Sequence, residues 1–527
     1  MNVAWFLTQA AERDPGRPAF IWGDRVVSYG EAEARSGRLA GALRRLGLSR
    51  SDRVGLLMPN RPELLESMFA TWKLGGCVVP LNARFRREEI VYHLADPRAR
   101  AVIFSEEYRE VMAEVRDRVP SVQQFICVDA PLAGQLAYDE LIADGPGPQD
   151  PQDPQAPGLG VDVADEDLAW LFYTSGTTGR PKGAMLTYGN LTFVSVAWVA
   201  DLMPLQPEDV GLHAAPLTHG AGFHALALTM KGATQVLLRP HQFDPATFCA
   251  TVQRHRVTNT WLVPTQIKML LNYGDLDGQD LSSLRWIVYG GAPMYVEDMK
   301  EALRRIGQVF VQIYAQGETP MTGTYLRPQD HIPNGPGSTR LASCGRARSG
   351  LDVRVLDEHD RELSRGQTGE LCVRGASVMK GYWERPEETA ETLRGGWLHT
   401  GDVGYMDDHG YAYILDRTKD MIISGGANVY PREVEEVLLR HPAVSEACVV
   451  GVPHEVWGEA VKALVVLRPG ASATGEALTR FVGEHLADYK KPKSVDFVED
   501  IPKNAYGKVL RRELRARYWD RQARMVH

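Results

Sequence analysis

The sequence has no run of about 18 apolar residues, so no membrane-spanning helix is expected. Cysteine is scarce: the 527 residues carry Cys77, Cys127, Cys249, Cys344, Cys372 and Cys448, with no two in a C-x-x-C spacing. That scatter excludes a zinc ribbon and a redox pair, and points to buried, inert thiols in a reducing compartment. The first fourteen residues have neither a basic lead nor a long apolar stretch, so no secretory signal is expected and the cytoplasm is the expected location. Basic residues are not in excess: 59 Lys and Arg face 67 Asp and Glu, a formal charge of −8. This balance argues against a nucleic-acid partner while leaving room for local phosphate sites. No segment recurs at a fixed period, which excludes a solenoid, and nothing fixes an oligomeric state.

What is present is an ordinary globular mixture, 44% hydrophobic and 24% charged, too long for one core and so expected to form two or more domains. Short apolar strand candidates at 53–58, 101–104, 169–173, 235–238 and 286–289 alternate with helical patterns such as 31–46 and 61–74. This is the pattern of α/β layers with largely parallel sheet. Trp5, Phe6, Leu7 and Ala10 suggest a short packing helix at the start. Residues 144–160, rich in proline and glycine, read as a surface loop dividing two lobes. From 351 to 373 short strands and turns suggest a β-rich unit. The last hundred residues return to a mixed pattern, helical at 431–439 and 477–485 and strand-like at 448–452 and 463–467.

The most informative segment is Tyr173-Thr174-Ser175-Gly176-Thr177-Thr178-Gly179-Arg180-Pro181-Lys182-Gly183, directly after an apolar strand candidate. Its glycines let backbone N–H groups approach an anion without obstruction by Cβ. Its hydroxyls and Lys182 add neutral and charged donors, so the turn suits a polyphosphate. It is not a Walker loop, because Lys182 is followed by Gly183 rather than Ser or Thr. The competing reading is a hydroxyl-rich surface turn.

Further strings follow. Val288-Tyr289-Gly290-Gly291-Ala292-Pro293 puts paired glycines after a buried strand, suited either to close approach of a flat ligand or to a plain turn. Tyr314-Ala315-Gln316-Gly317-Glu318-Thr319-Pro320-Met321 offers a carboxylate of the kind a hard cation takes. Thr400-Gly401-Asp402 could hold ribose hydroxyls or be a common turn. Asp416-Arg417-Thr418-Lys419-Asp420 leads into Gly425-Gly426, and Pro502-Lys503-Asn504-Ala505-Tyr506-Gly507-Lys508 stands near the end. Pro216-Leu217-Thr218-His219-Gly220-Ala221-Gly222-Phe223 could suggest a hydrolase loop, but no G-x-S-x-G elbow accompanies it.

In this order, and over essentially the whole length, these segments resemble the adenylate-forming superfamily of acyl-CoA synthetases, firefly luciferase and peptide-synthetase adenylation domains, with acyl-CoA synthetases the nearest. The resemblance implies an α/β fold: a large N-terminal AMP-binding domain, 1–416, of two layered α/β lobes plus a β-barrel-like unit, and a small mobile α+β lid domain, 417–527. It implies activation of a small carboxylic acid with ATP and Mg²⁺, then transfer of the acyl group to coenzyme A. An amine acceptor, or a carrier protein acting in trans, is the alternative. Lys508, Thr178 and Glu318 are implied in catalysis, Glu318 also on the metal. Thr174, Ser175, Gly176, Thr177, Thr178, Lys182, Gly291, Ala292, Pro293, Tyr314, Gln316, Gly317, Asp402 and Arg417 are implied in binding ATP or AMP. The family's threonine is Gly317 here, which leaves the phosphate contact at that position open. His219, Phe223, Tyr289 and Gly290, with Trp261 and Met321 nearby, are implied in an acyl pocket favouring an apolar or aromatic acid. Gly425 and Gly426 are implied in a CoA channel and Lys419 in a hinge.

Overall fold

A computed structural model describes residues 1–145, 160–174, 180–238, 243–417, 420–424, 427–454, 457–503 and 509–519. Two large, mostly parallel sheets form the bulk of the chain. The first has seven strands in the order Leu136–Ala137, Gln124–Val128, Ala101–Ser105, Arg53–Leu57, Cys77–Pro80, Leu168–Thr174 and Lys182–Thr187. Only the last pair, the hairpin that carries the phosphate turn, is antiparallel. The second has nine strands. Its parallel centre runs Phe310–Tyr314, Trp286–Tyr289, Asn259–Leu262, Val210–His213, Thr234–Leu237 and Pro18–Trp22. Strands buried on both faces read as near-continuous apolar runs, which is why the sequence pattern found them.

The helix Pro62–Lys73 joins the two sheets. It contacts Pro18–Trp22 of the larger sheet and Arg53–Leu57 and Cys77–Pro80 of the smaller one, and every one of its residues is buried. A helix buried all round must satisfy its charges internally. Lys73 pairs with Glu33 at 2.7 Å, and Glu66 pairs with Arg35 at 2.9 Å while accepting the Tyr138 hydroxyl at 2.9 Å. The helix Tyr29–Arg45 beside it starts on Ser28, whose hydroxyl accepts the Glu31 N–H, and ends with Arg44 and Arg45 at its negative pole. The start of the chain forms the expected helix, Trp5–Arg13, with Phe6, Leu7 and Ala10 buried. Most of the expected surface loop at 144–160 lies outside the described residues.

The β-rich unit is a four-stranded antiparallel sheet, Leu351–Leu356, Gly369–Gly375, Leu398–Met406 and Ala412–Arg417. It packs Val353, Val355, Leu371, Val373 and Leu398 into one apolar cluster on which Tyr314 rests. After it the chain forms a five-stranded sheet from Ala427–Val429, Ile422–Ser424, Gly458–Leu467, Val444–His454 and Ser494–Phe497. The helices Pro431–Leu438 and Gly475–Gly483 bury Val434, Val437, Leu438, Leu478 and Val482 in a separate core. All six cysteines are buried and unbridged. Among the described residues no helix is long and apolar enough to cross a membrane.

The buried charges on the central helix give a direct test. Replacing Glu66 by leucine leaves Arg35 and Tyr138 facing an apolar side chain, and should cost about 3 kcal/mol. A urea titration followed by far-ultraviolet circular dichroism checks this: a midpoint equal to wild type contradicts it.

Candidate active site

The carboxyl ends of parallel strands face one cleft, where an open α/β sheet presents its ligand groups. Three such ends meet here: Thr174, the Gly290–Gly291 turn after Trp286–Tyr289, and Tyr314 at the end of Phe310–Tyr314. A cavity of about 740 Å³ lies over the last two, and Thr174 joins them through Glu318 at 2.9 Å. The large domain lines it with Gly291, Ala292, Pro293, Tyr314 and Asp402, and the residues from 417 onward with Arg417, Glu446, Lys503, Val509 and Arg511. The two sides are tied directly. Tyr295 donates its hydroxyl to Glu435 at 3.2 Å, the Val296 N–H donates to Glu436 at 3.4 Å, and the Arg432 N–H donates to Asp416 at 3.2 Å. Burial raises the Asp416 carboxyl to about 6, against the pull of Arg511 3.9 Å away.

Asp402 is one hub of the cavity. Its Oδ2 accepts the Tyr314 hydroxyl at 2.7 Å and the Gln316 amide at 3.0 Å, and its Oδ1 faces Arg417 Nε at 3.1 Å. The turn before it is held from beneath by Glu370, which accepts the Gly401 N–H at 2.7 Å and meets His399 Nδ1 at 2.8 Å. Glu370, Cys372 and His399 gather within 4.8 Å, but Arg394 lies 3.4 Å from Glu370. A guanidinium at that place supplies the positive charge itself, so the group is a hydrogen-bonded support for the turn.

Glu318, four residues after Tyr314, is a second centre of hydrogen bonds and is buried. Its Oε1 accepts the hydroxyls of Thr174 at 2.9 Å and Tyr382 at 2.8 Å, while its backbone carbonyl accepts the Met379 N–H at 2.8 Å. Lys182, paired with Thr174 across the hairpin, lies over the Tyr382 ring at 5.1 Å. The carboxylate and hydroxyl oxygens gathered here suit a hard cation. Sequence reasoning missed Tyr382. Residues 379–383 run along the hairpin strand Lys182–Thr187, with Lys380 N–H on the Met185 carbonyl and Trp383 N–H on the Gly183 carbonyl. The signal available was the aromatic pair Tyr382-Trp383 after Gly381, just past the stretch 351–373 read as β-rich.

A second cavity of about 350 Å³ is walled by Met58, Trp261, Phe243, Met269, Met321 and His219. It shares Gly291, Thr265, Met269 and Lys503 with the first, so the two meet at the glycine turn. Gly291 has φ +81°, a conformation that favours glycine, and a Cβ there would face open space. Burial holds His219 neutral, lowered to about 4.

Three expected acyl-pocket residues sit elsewhere. Phe223 is buried one layer behind, its ring 4.8 Å from Trp170 and 5.7 Å from Phe172. Tyr289 points into the core of the nine-stranded sheet, where its hydroxyl meets His331 Nε2 at 2.9 Å. Gly290 is there because a Cβ would strike the Ile313 carbonyl of the next strand. At Gly317 the room for a side chain is taken: a Cβ would lie 2.5 Å from the Thr174 methyl and 2.7 Å from the Phe172 ring. Ser175, Gly176, Thr177, Thr178, Lys419, Gly425, Gly426 and Lys508 lie outside the described residues, although the flanking Lys503 and Val509 both line the larger cavity.

Comparison with known proteins bears on this arrangement. Residues 7–383 match the model of the AMP-binding enzymes and residues 433–508 that of the AMP-binding enzyme C-terminal domain. The chain is 38% identical to a feruloyl-CoA synthase from an Amycolatopsis species, over 96% of this chain and 97% of that one. Among solved structures, ATP-bound MatB from Rhodopseudomonas palustris is 32% identical with a TM-score of 0.87, covering 99% of each chain. The amide bond synthetase McbA from Marinactinospora thermotolerans is 31% identical with a TM-score of 0.88, covering 98% of this chain and all 100% of that one. With both family models matched in order across a cleft built from the same motifs, the chain belongs to the AMP-binding enzymes of the adenylate-forming superfamily and stands close to their acyl-CoA synthetases.

Proposed function

We propose that this protein is an ATP-dependent ligase that joins an apolar or aromatic carboxylic acid to coenzyme A, working in the cytoplasm. The observation that carries the proposal is the meeting of two cavities at Gly291. The larger is lined by polar and charged groups suited to a nucleotide, the smaller by aromatic and thioether side chains suited to an acyl group. The relative named feruloyl-CoA synthase supports an aryl acid.

In the first step an acid carboxylate oxygen attacks the α-phosphorus of ATP, the bond to the bridging oxygen breaks, and pyrophosphate departs. Tyr314 and the Gly291–Pro293 turn would flank the adenine, and Asp402, oriented by Gln316 and Arg417, would hold the ribose. Thr174, Ser175, Gly176, Thr177, Thr178 and Lys182 would cradle the phosphates. Bound Mg²⁺ neutralises charge on the phosphate oxygens, and Glu318, fixed by Thr174 and Tyr382, would hold it. Lys508 would place its ammonium against the charge that gathers on the α-phosphate. Holding acid and nucleotide in line at the Gly291 junction converts a bimolecular reaction into a local one. In the second step the CoA sulfur attacks the acyl carbon and AMP leaves. We place the domain boundary at 416–417 and the hinge at Lys419, so that rotation withdraws Lys508 and brings Gly425 and Gly426 to the acyl-adenylate.

McbA, similar over the whole chain, favours a second reading in which an amine takes the acyl group. Product masses after incubation with ATP, ferulate and either CoA or amines separate the two. A carrier protein in trans would present the same thiol chemistry as CoA.

Lys508→Ala should lower ATP–pyrophosphate exchange by about 10²–10³ and leave thioester formation from supplied acyl-adenylate near wild type; equal loss of both half-reactions removes Lys508 from its role. Lys419→Pro, by restricting φ at the hinge, should spare one half-reaction and suppress the other by at least about tenfold. Equal survival of the two, measured separately, rejects the hinge.

A further inference from the structure

Gly317 carries no left-handed backbone strain, so an L-residue would fit the chain there, and only space forbids it. The space is held by two side chains of one strand. Phe172 and Thr174 lie two apart on Leu168–Thr174 and therefore point to the same face of the sheet. A Cβ at position 317 would sit 2.5 Å from the Thr174 methyl and 2.7 and 2.8 Å from two edge carbons of the Phe172 ring. The same ring packs edge-on against His219, centroids 4.7 Å apart and planes at 70°. Behind it stand Trp170 at 6.3 Å and Phe223 at 5.7 Å. A close-packed interior has no slack to absorb a displaced ring on that side. Pressure from position 317 is therefore passed toward His219, which lines the smaller cavity.

We propose that Gly317 and Phe172 form a size-matched pair that sets how far His219 stands into the acyl cavity. Phe172 is thus a positioning residue for acid selection although it lies on the strand that leads into the phosphate turn. Adding one carbon at 317 narrows the acyl cavity through the ring; shortening Phe172 relieves it. This rests on the reading of the smaller cavity as the acyl site.

The test is a double-variant cycle of Gly317→Ala and Phe172→Ala, with KM for ATP and for benzoate, cinnamate and ferulate read by ATP–pyrophosphate exchange, and thermal midpoints read by calorimetry. Gly317→Ala should raise the KM for ferulate by about tenfold and for benzoate by less than about threefold, the size of coupling expected between contacting residues. KM for ATP is read in the same variants, because the new Cβ also meets the Thr174 methyl; a rise in it equal to the rise for ferulate overturns the link to His219. In the Phe172→Ala background, which by itself lowers the midpoint through the cavity it leaves, Gly317→Ala should lower the midpoint less and raise the KM for ferulate less than it does in wild type. Independent, additive effects of the two changes overturn the pair. Coupled midpoints with no change in the order of acid KM values overturn the link to His219. If the wild-type enzyme exchanges pyrophosphate with no acid, the proposed function fails instead, and the midpoint cycle alone then decides whether the two residues are matched in size.

Discussion

The site depends on the hydrogen bonds that converge on Glu318. Its carboxylate takes the hydroxyls of Thr174 and Tyr382, and its carbonyl takes the N–H of Met379. Those partners come from stretches more than 140 residues apart on one side and about 60 on the other. Without them the phosphate hairpin, the end of the strand Phe310–Tyr314 and the segment 379–383 would have no common anchor. A buried carboxylate with two hydroxyl donors is oriented as well as bound, which is what a metal-holding group requires.

Asp402 does the same work one step further along the cleft. It fixes Tyr314 and Gln316 on one side and Arg417 on the other. Arg417 is the last residue of the strand Ala412–Arg417, so the Asp402 side of the cavity is joined to the start of the segment that leads to the small domain. Across the cleft, among the described residues, polar contacts join the two parts: Tyr295 and Val296 meet Glu435 and Glu436, and Arg432 donates to Asp416 and to the Ile414 carbonyl.

Much of this was legible in the sequence because the chemistry restricts residue type. Thr174 and Lys182, the Tyr314–Glu318 string and the Thr400–Asp402 string come together around the cleft, and such strings are patterns that packing alone would not require. The parallel strands were legible because burial on both faces leaves unbroken apolar runs. A string does not reveal which way a side chain points, however. Phe223 and Tyr289 sit beside cavity-lining residues in the sequence yet pack in the core, and a Cβ at Gly290 would meet the Ile313 carbonyl of the neighbouring strand. Tyr382 escaped notice because its role comes from a strand pairing formed across nearly 200 residues, between 382 and 184. The absence of a side chain at Gly317 read as a missing contact; in space it is filled by Phe172.

The account comes down to where a nucleotide and an acid meet. A crystal structure of the protein grown with ATP, magnesium and ferulate tests it most directly. It should show the triphosphate along the 174–182 hairpin, the cation on Glu318, and the acid carboxylate at the Gly291 junction within reach of the α-phosphorus. Nucleotide bound away from that hairpin, or an acid lodged outside the cavity lined by Trp261 and His219, would contradict it.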